Sequence, residues 1–234
     1  MPLAFTKSIQ HGAPHLKIVG WDEATSKRLP GGVYQEGFLC DECEGLTSQW
    51  EGAGSTALIH RADEWKPFPD PIAPLAWTLM GADPVSLQLF FAQLLLKASL
   101  STLPAFAAVN LGPHTPKFQE AILSKSLDPI RDAFEVVLTR YSASRKLPGV
   151  ERAVQLPSRG RCGGANVYWV ALNGFGAFVR VDQRSFVPSM RPVAVGNASD
   201  LIALQRSFDD NKGLGFLYRM AERVKQERER KGWR

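Results

Sequence analysis

The dipeptide Asn173-Gly174 is the feature that most constrains how this chain can fold. It separates two runs rich in β-branched and aromatic residues, at 166–172 and 175–181. Asn and Gly both tolerate the positive φ that a two-residue hairpin turn requires. The sequence therefore predicts an antiparallel hairpin here, and this is its strongest local structural prediction.

Two start signals predict long helices in the middle of the chain. Asp83-Pro84 and Asp128-Pro129 each place a capping Asp before a Pro at the first helical position. From these signals we expect helices over 85–100 and over 129–142. The second interval also has helical periodicity, because one face of such a helix would carry Ile130, Phe134, Val137, Leu138 and Tyr141.

Weaker patterns predict the remaining elements. Short strands are expected at 15–20, 33–39 and 193–195, and helices at 45–52, 117–123, 199–208 and 214–231. The three prolines in 66–71 exclude a regular helix or a central strand, so this segment is expected to be a linker or an extended arm. We therefore predict an α+β protein with an irregular N-terminal module at 1–66. The main domain at 67–234 has a helical middle and a C-terminal hairpin with closing helices.

Composition bounds the class of protein. The formal net charge is +5, which permits a nucleic-acid partner without requiring one. Three cysteines, an odd number, argue against a secreted disulfide framework. No signal peptide is visible at the N-terminus, and the apolar stretch 87–96 is too short to span a bilayer. We therefore expect a cytoplasmic protein with no membrane partner, and the oligomeric state is left open.

A C-x-x-C pair, Cys40 and Cys43, is the clearest chemical motif in the chain. Two thiolates at this spacing can share one metal ion, and sulfur ligands favour zinc. His11 and His15 form an H-x3-H pair upstream that would complete a four-ligand structural site. The alternatives are two free thiols at the end of a strand, or a redox pair. A redox role is disfavoured because the sequence does not predict a helix start preceded by Trp-Cys.

The run 39–44, followed by Trp50-Glu51, resembles the second half of a treble-clef module. It is similar to a group of bacterial and phage proteins, some of which join this knuckle to an HNH-type nuclease-like N-terminus. The resemblance extends to 109–112, to Arg131 on an expected helix and to the hairpin at Gly174. The chain departs from the group because its first 40 residues contain neither a first C-x-x-C nor an acidic-His pair. The resemblance therefore implies only that Cys40 and Cys43 are structural metal ligands.

His60 is the best candidate for nuclease chemistry, which needs a His to activate water near a divalent metal. It lies three residues before Asp63. A histidine after two apolar residues is more often a packing or capping residue than a general base. The sequence contains no convincing acid-base or nucleophile set, so enzymatic activity stays open and a role without catalysis is favoured.

Basic residues in two places could contact phosphate. Arg159 and Arg161 lie in a Gly/Arg segment that we expect to be a loop before a strand. The C-terminal segment carries further cations on an expected helix, including Arg219, Arg223, Arg228 and Arg230. Acidic residues alternate with them, so a solvated helix with i,i+4 ion pairs is the alternative interpretation.

Four aromatic residues lie in the Pro-rich front portion, where they either cap a core or anchor a protein partner: Trp21, Trp50, Trp65 and Phe68. The sequence as a whole favours a non-catalytic protein that binds a nucleic acid or a nucleoprotein complex. A phage-host conflict protein that inhibits or assists a protein partner is the first alternative. An HNH-like metal-dependent nuclease is the second.

Overall fold

The protein has an α+β architecture. The computed structural model describes residues 39–69, 71–72, 74–146 and 152–209, the backbone of 16–19 and 26–29, and residue 230. A separate two-stranded antiparallel sheet joins β1 (Leu16–Val19) to β2 (Ser26–Leu29). The main sheet of the described chain has seven strands in the order β3-β4-β9-β5-β8-β7-β6.

The main sheet is antiparallel except at its centre. Its strands are β3 (Lys66–Phe68), β4 (Ala76–Leu79), β5 (Phe134–Tyr141), β6 (Gln155–Cys162), β7 (Ala165–Leu172), β8 (Phe175–Val181) and β9 (Leu201–Arg206). Strands β5 and β9 pair in parallel, with Leu138 opposite Ala203. Strands β3 and β6 are the two edges of the described sheet. The short edge strand β3 contains Pro67, which agrees with the expectation that 66–71 could not be a central strand.

Three α-helices are described: α1 (Asp41–Ser55), α2 (Pro84–Leu100) and α3 (Thr115–Ser124). The expected start of α2 is confirmed, because the Asp83 carboxylate accepts hydrogen bonds from the backbone N–H groups of Val85 (3.0 Å) and Ser86 (3.2 Å). The expected helix at 117–123 lies within α3, and the one at 45–52 lies within the longer α1. Among the described residues, no helix combines the length and apolar character that a membrane crossing requires.

The main core lies between the helices and one face of the sheet. Helix α2 is buried on almost all sides, as expected from its apolar sequence. The sheet contributes alternate residues of its central strands, including Phe134, Val136 and Leu138 of β5. The N-terminal part of the chain also enters this core through Trp50 and Trp65. The predicted boundary between 1–66 and 67–234 stays a prediction.

The opposite face of the sheet has a smaller core. Val137 of β5 and Val167 of β7 pack there against Phe186 and Ala194. We expected a strand at 193–195, but Val193 ends the 3-10 helix Arg191–Val193, and Ala194 makes only an isolated bridge, to Val137. The segment after β8 therefore covers the centre of this face without joining the sheet as a regular strand.

The predicted hairpin is confirmed. Strands β7 and β8 pair antiparallel, with Leu172 opposite Phe175, and they turn at Asn173 and Gly174. Both turn residues have positive φ, 49° for Asn173 and 87° for Gly174. This is the geometry that selects Asn-Gly in a two-residue turn.

The helix expected over 129–142 is wrong. Asp128–Ile130 forms only a single 3-10 turn, and β5 begins at Phe134. The apolar residues of this interval fit a helical face, but they also fit a central strand that is buried on both sides. The aromatic and β-branched residues of β5 favour the strand, and neighbours on both edges supply its hydrogen bonds.

The helix expected over 199–208 is also wrong, because 201–206 form strand β9 between β4 and β5. Its Leu, Ala, Gln and Arg residues are good helix formers. Pairing with two neighbouring strands overrides that preference. The expected strand at 33–39 lies almost wholly outside the described residues, as does the closing helix at 214–231, of which only Arg230 is described.

Candidate functional site

Cys40 and Cys43 lie together at the start of α1. Cys40 occupies the N-cap position in an extended conformation, and Cys43 belongs to the first helical turn. Cys40 is exposed and Cys43 is partly buried, and both are free thiols. We expected the pair on a turn after a strand, and the structure instead places it on a helix N-terminus. C-x-x-C spacing brings both sulfurs to the same side of this first turn.

The two thiols differ in acidity. The pKa of Cys40 is lowered, first by the backbone N–H of Cys43 and then by the Cys43 thiol, although Cys40 makes no capping hydrogen bond of normal geometry. The pKa of Cys43 is raised, chiefly because its thiol donates a hydrogen bond to Cys40. Cys40 is therefore the sulfur that ionises first. A thiolate is the form that binds a metal or attacks a disulfide.

The Cys40/Cys43 pair fits half of a tetrahedral metal site. No group of three or more His, Cys, Asp or Glu side chains in the described part of the chain could hold a metal ion. A four-ligand site would need two more donors from elsewhere. The predicted donors, His11 and His15, lie outside the described residues.

His60 ends a π-helical turn, Thr56–His60, that follows α1 directly. Its side chain is exposed and makes no hydrogen bond or ion pair with any described residue. The nearby Arg61 instead pairs with Glu64, at 2.8 Å between Nε and Oε2. Within the described chain, His60 thus has no orienting acid of the kind that a general base uses.

Arg159 and Arg161 do not lie in a loop, contrary to the sequence-based expectation. They belong to the edge strand β6, where they face Tyr168 and Asn166 of β7 across the ladder. Both are exposed and neither forms an ion pair with a described residue. Strands β6 and β7 contain no acidic residue. The edge of the sheet therefore presents two guanidinium groups that no described carboxylate neutralises.

The C-terminal basic residues lie mostly beyond the described part of the chain. Arg219, Arg223 and Arg228 are outside it, and Arg230 is an exposed helical residue. Their role as phosphate contacts stays a prediction.

The front aromatics divide into two kinds. Trp50 and Trp65 are buried in the main core, and the Trp65 indole N–H donates to the carbonyl oxygen of Ala57 at 3.0 Å. Phe68 is 60% exposed, and Trp21 lies outside the described residues. Trp65 therefore cannot anchor a partner without unfolding, whereas Phe68 remains available to do so.

Arg140 was missed by the sequence analysis because its segment was expected to be helical. It lies at the end of β5, with its guanidinium carbon 4.1 Å from the centroid of the Trp77 ring and 5.5 Å from that of Phe175. The pKa of Arg140 is lowered, chiefly because burial disfavours its charged form. The negative charge of Asp63 opposes this effect. No local motif marks Arg140, because the two rings come from β4 and β8.

Comparisons with known proteins identified no similar protein. No family model matches the chain, and searches of curated proteins and of solved structures returned no match.

Proposed function

We propose that this protein binds a nucleic acid or a nucleoprotein complex in the cytoplasm, without catalysing a reaction on it. The observation that carries the proposal is the exposed pair Arg159 and Arg161 on the edge strand β6, which no described carboxylate neutralises. Residues two apart on a strand project to the same face. Two guanidinium groups on one face of an edge strand suit contacts to successive phosphates. The net charge of +5 supports the same class of partner.

We further propose that a structural zinc ion, held in part by Cys40 and Cys43, organises the front of the chain. The pairing of an acidic thiol with a second thiol at the start of α1 supports this. When bound, zinc would fix the conformation of the residues that supply its remaining ligands, here proposed to be His11 and His15. The cysteine thiols must be deprotonated to bind it, so metal affinity should fall at acidic pH.

The nucleic-acid proposal is tested by titrating single- and double-stranded DNA and RNA at several salt concentrations. Replacing both Arg159 and Arg161 by Ala should weaken binding for all sequences. The slope of log K against log salt should become shallower by about 1 for each phosphate that the variant no longer binds. The control is Arg131→Ala, because Arg131 is also exposed but pairs with Asp128. Equal salt slopes for the double variant and the wild type would contradict the proposal.

The same titrations separate the alternatives. A protein-binding function predicts no salt-dependent nucleic-acid affinity and a partner interaction that depends on exposed Phe68. A nuclease predicts metal-dependent cleavage of plasmid or RNA that His60→Ala abolishes. Either result would replace the non-catalytic nucleic-acid proposal.

A second candidate function for the cysteine pair is thiol-disulfide exchange. The helix start that this role needs is present at Asp41, and the unequal acidity of Cys40 and Cys43 is typical of C-x-x-C redox pairs. Elemental analysis of the purified full chain distinguishes a zinc site from a redox pair. About one zinc ion per chain, absent from Cys40→Ser, supports the metal site. Metal-free protein that reduces an exposed disulfide supports the redox pair.

A further inference from the structure

Arg140 is a guanidinium group that the fold holds in place without an ion-pair partner among the described residues. Its side chain is half-buried, and its position on β5 is fixed by ladder neighbours on both sides, Phe175 on β8 and Gln205 on β9. The Trp77 ring packs on it from β4. Strands therefore position every one of these groups, which gives the guanidinium a defined location at one end of the sheet.

The hydrogen-bonding capacity of Arg140 is unused in the described part of the chain. Its Nη1 atom is buried there without a hydrogen-bond partner, and no described carboxylate forms an ion pair with its side chain. The buried Arg180 differs, because it pairs with Glu135 at 2.8 Å and donates to the backbone carbonyl oxygen of Asp132 at 3.1 Å. Arg180 therefore has a carboxylate and a carbonyl oxygen beside it, although its Nε is also buried without a hydrogen bond, whereas Arg140 has neither group among the described residues. Because Nη1 of Arg140 is enclosed, an added anion would reach the guanidinium only on its exposed side.

Asp63 is the one carboxylate whose charge acts on the pKa of Arg140, and it does so without forming an ion pair within the described structure. The Trp77 indole N–H is occupied, because it donates to the side-chain oxygen of Gln205. The rings of Trp77 and Phe175 thus pack against the guanidinium, and Arg140 supplies the positive charge. A guanidinium held against aromatic rings, with N–H donors left on its exposed side, is an arrangement that binds carboxylate and phosphate oxyanions.

We propose that Arg140, flanked by Trp77 and Phe175, is a binding site for the oxyanion group of a small ligand, a phosphate monoester or a carboxylate. The anion accepts hydrogen bonds from the guanidinium on its exposed side, and the two rings hold the guanidinium in position. This site is separate from Cys40, Cys43 and the β6 edge. It goes beyond the proposed macromolecular binding and does not depend on it.

The test is an NMR titration of the full chain, following the six tryptophan indole N–H signals. Trp77→Phe identifies the Trp77 signal. Inorganic phosphate and acetate are titrated separately at constant ionic strength. A saturable shift of the Trp77 signal with either anion supports the site and tells which oxyanion it prefers. No saturable shift with either anion overturns it.

Variants make the assignment to Arg140 specific. Arg140→Lys keeps the charge but loses the planar fork, so it should weaken anion binding about tenfold or more. Arg131→Lys is the matched control, because Arg131 is exposed and already pairs with Asp128, and it should leave the titration unchanged. Equal affinity in Arg140→Lys and the wild type would overturn the proposal.

Asp63→Asn gives an independent variant outside the core, where folding is least disturbed. It removes the negative charge that competes with the anion, so it should tighten binding by about two- to fivefold. If Arg140 serves only as a structural partner for Asp63, this variant will instead show no anion binding and a lower melting temperature, and the proposal fails. Neither outcome bears on the salt-dependence test of the β6 arginines.

Discussion

Gly174 shows how one backbone angle can fix a turn. Its φ is 87°, and no atom outside its immediate chain neighbours lies within 4 Å of the place where a Cβ would stand. Any cost of a side chain here is therefore backbone strain and not a collision.

We expect Gly174→Val to lower the free energy of unfolding by on the order of 1 kcal/mol or more, since a β-branched residue strongly disfavours positive φ. Gly174→Asn is the matched control and should cost clearly less, because Asn tolerates the left-handed region. Urea denaturation of both variants measures the difference. Equal stabilities would mean that the turn does not need positive φ at this position.

Asp182 is the centre of a compact charge cluster just after β8. Its carboxylate accepts hydrogen bonds from the backbone N–H groups of Asn166 (2.8 Å) and Arg184 (2.9 Å) and from the Arg184 side chain. These contacts, the Arg184 side chain first, hold the pKa of Asp182 far below its ordinary value. The cluster ties the start of β7 to the end of β8.

The lowered pKa of Asp182 gives a definite pH dependence. An acid whose pKa is lower in the folded state stabilises the fold above its unfolded pKa, near 3.9, and that contribution disappears as pH falls. Asp182→Asn should therefore be less stable than wild type at pH 7, with a gap that narrows below about pH 4. Asp128→Asn is the control, because its pair with Arg131 is exposed and should contribute little at any pH. A gap that is constant from about pH 7 to about pH 2 would refute the assignment.

The candidate sites were unequally predictable from sequence. Cys40 and Cys43 could be found because their spacing is local. The exposed arginines of β6 were identified, but as loop residues. Arg140 could not be found, since Trp77 and Phe175 reach it through pairings between strands that are distant in sequence. The same holds for the burial of Trp65, which depends on the packing of Phe175 at 5.1 Å between ring centroids.

At the scale of elements, α1 and α2 pack closely because glycine lies at their contact. A Cβ on Gly54 would stand 2.6 Å from the Phe90 ring of α2, whereas one on Gly52 would meet nothing within 4 Å. Lys97 and Glu51 add an ion pair between the same helices, at 2.9 Å between Nζ and Oε1. Two glycines in one helix thus have opposite roles.

Alanine at these two positions should change stability in opposite directions. Gly54→Ala should lower the free energy of unfolding by about 1–3 kcal/mol, because the buried Phe90 ring cannot move aside without disturbing the core. Gly52→Ala should raise it by about 0.5–1 kcal/mol through helix propensity alone. Thermal or urea unfolding of the two variants provides the measurement, and each is the other's control. A stabilising Gly54→Ala would show that the helices do not approach as described.

Helices and strands were predicted correctly where a local sequence signal determines the structure. They were predicted wrongly where pairing between strands distant in sequence determines it. The Asp83 cap and the Asn173-Gly174 turn act within a few residues, so α2 and the hairpin were predicted. A false helix start signal at Asp128 precedes strand β5, and the spacing of the apolar residues in β5 also fits a helix. Strand β9 consists mostly of residues with high helix propensity. Both lie inside the sheet, where partners far apart in sequence, such as Leu138 and Ala203, determine the structure.

At the scale of the whole molecule, the described chain is organised around one large core. All the fully or partly buried members of that core lie between residues 46 and 203. They include Trp50, Leu58 and Trp65, which precede the predicted boundary at residue 66. The packing of these three residues argues that α1 and the turn after it stabilise the same unit as the sheet.

Truncation tests where the folding unit begins. Deleting 1–66 removes Trp50, Leu58 and Trp65, which are 7%, 0% and 2% exposed. Burial of each large apolar side chain contributes about 2–3 kcal/mol, so the destabilisation approaches the roughly 5–15 kcal/mol that holds a typical domain together. We expect residues 67–234 alone to give no cooperative unfolding transition in circular dichroism. Residues 39–234 keep every described member of the core, and we expect this matched chain to retain one. A cooperative transition in 67–234 as steep as that of 39–234 would instead place the boundary at residue 66.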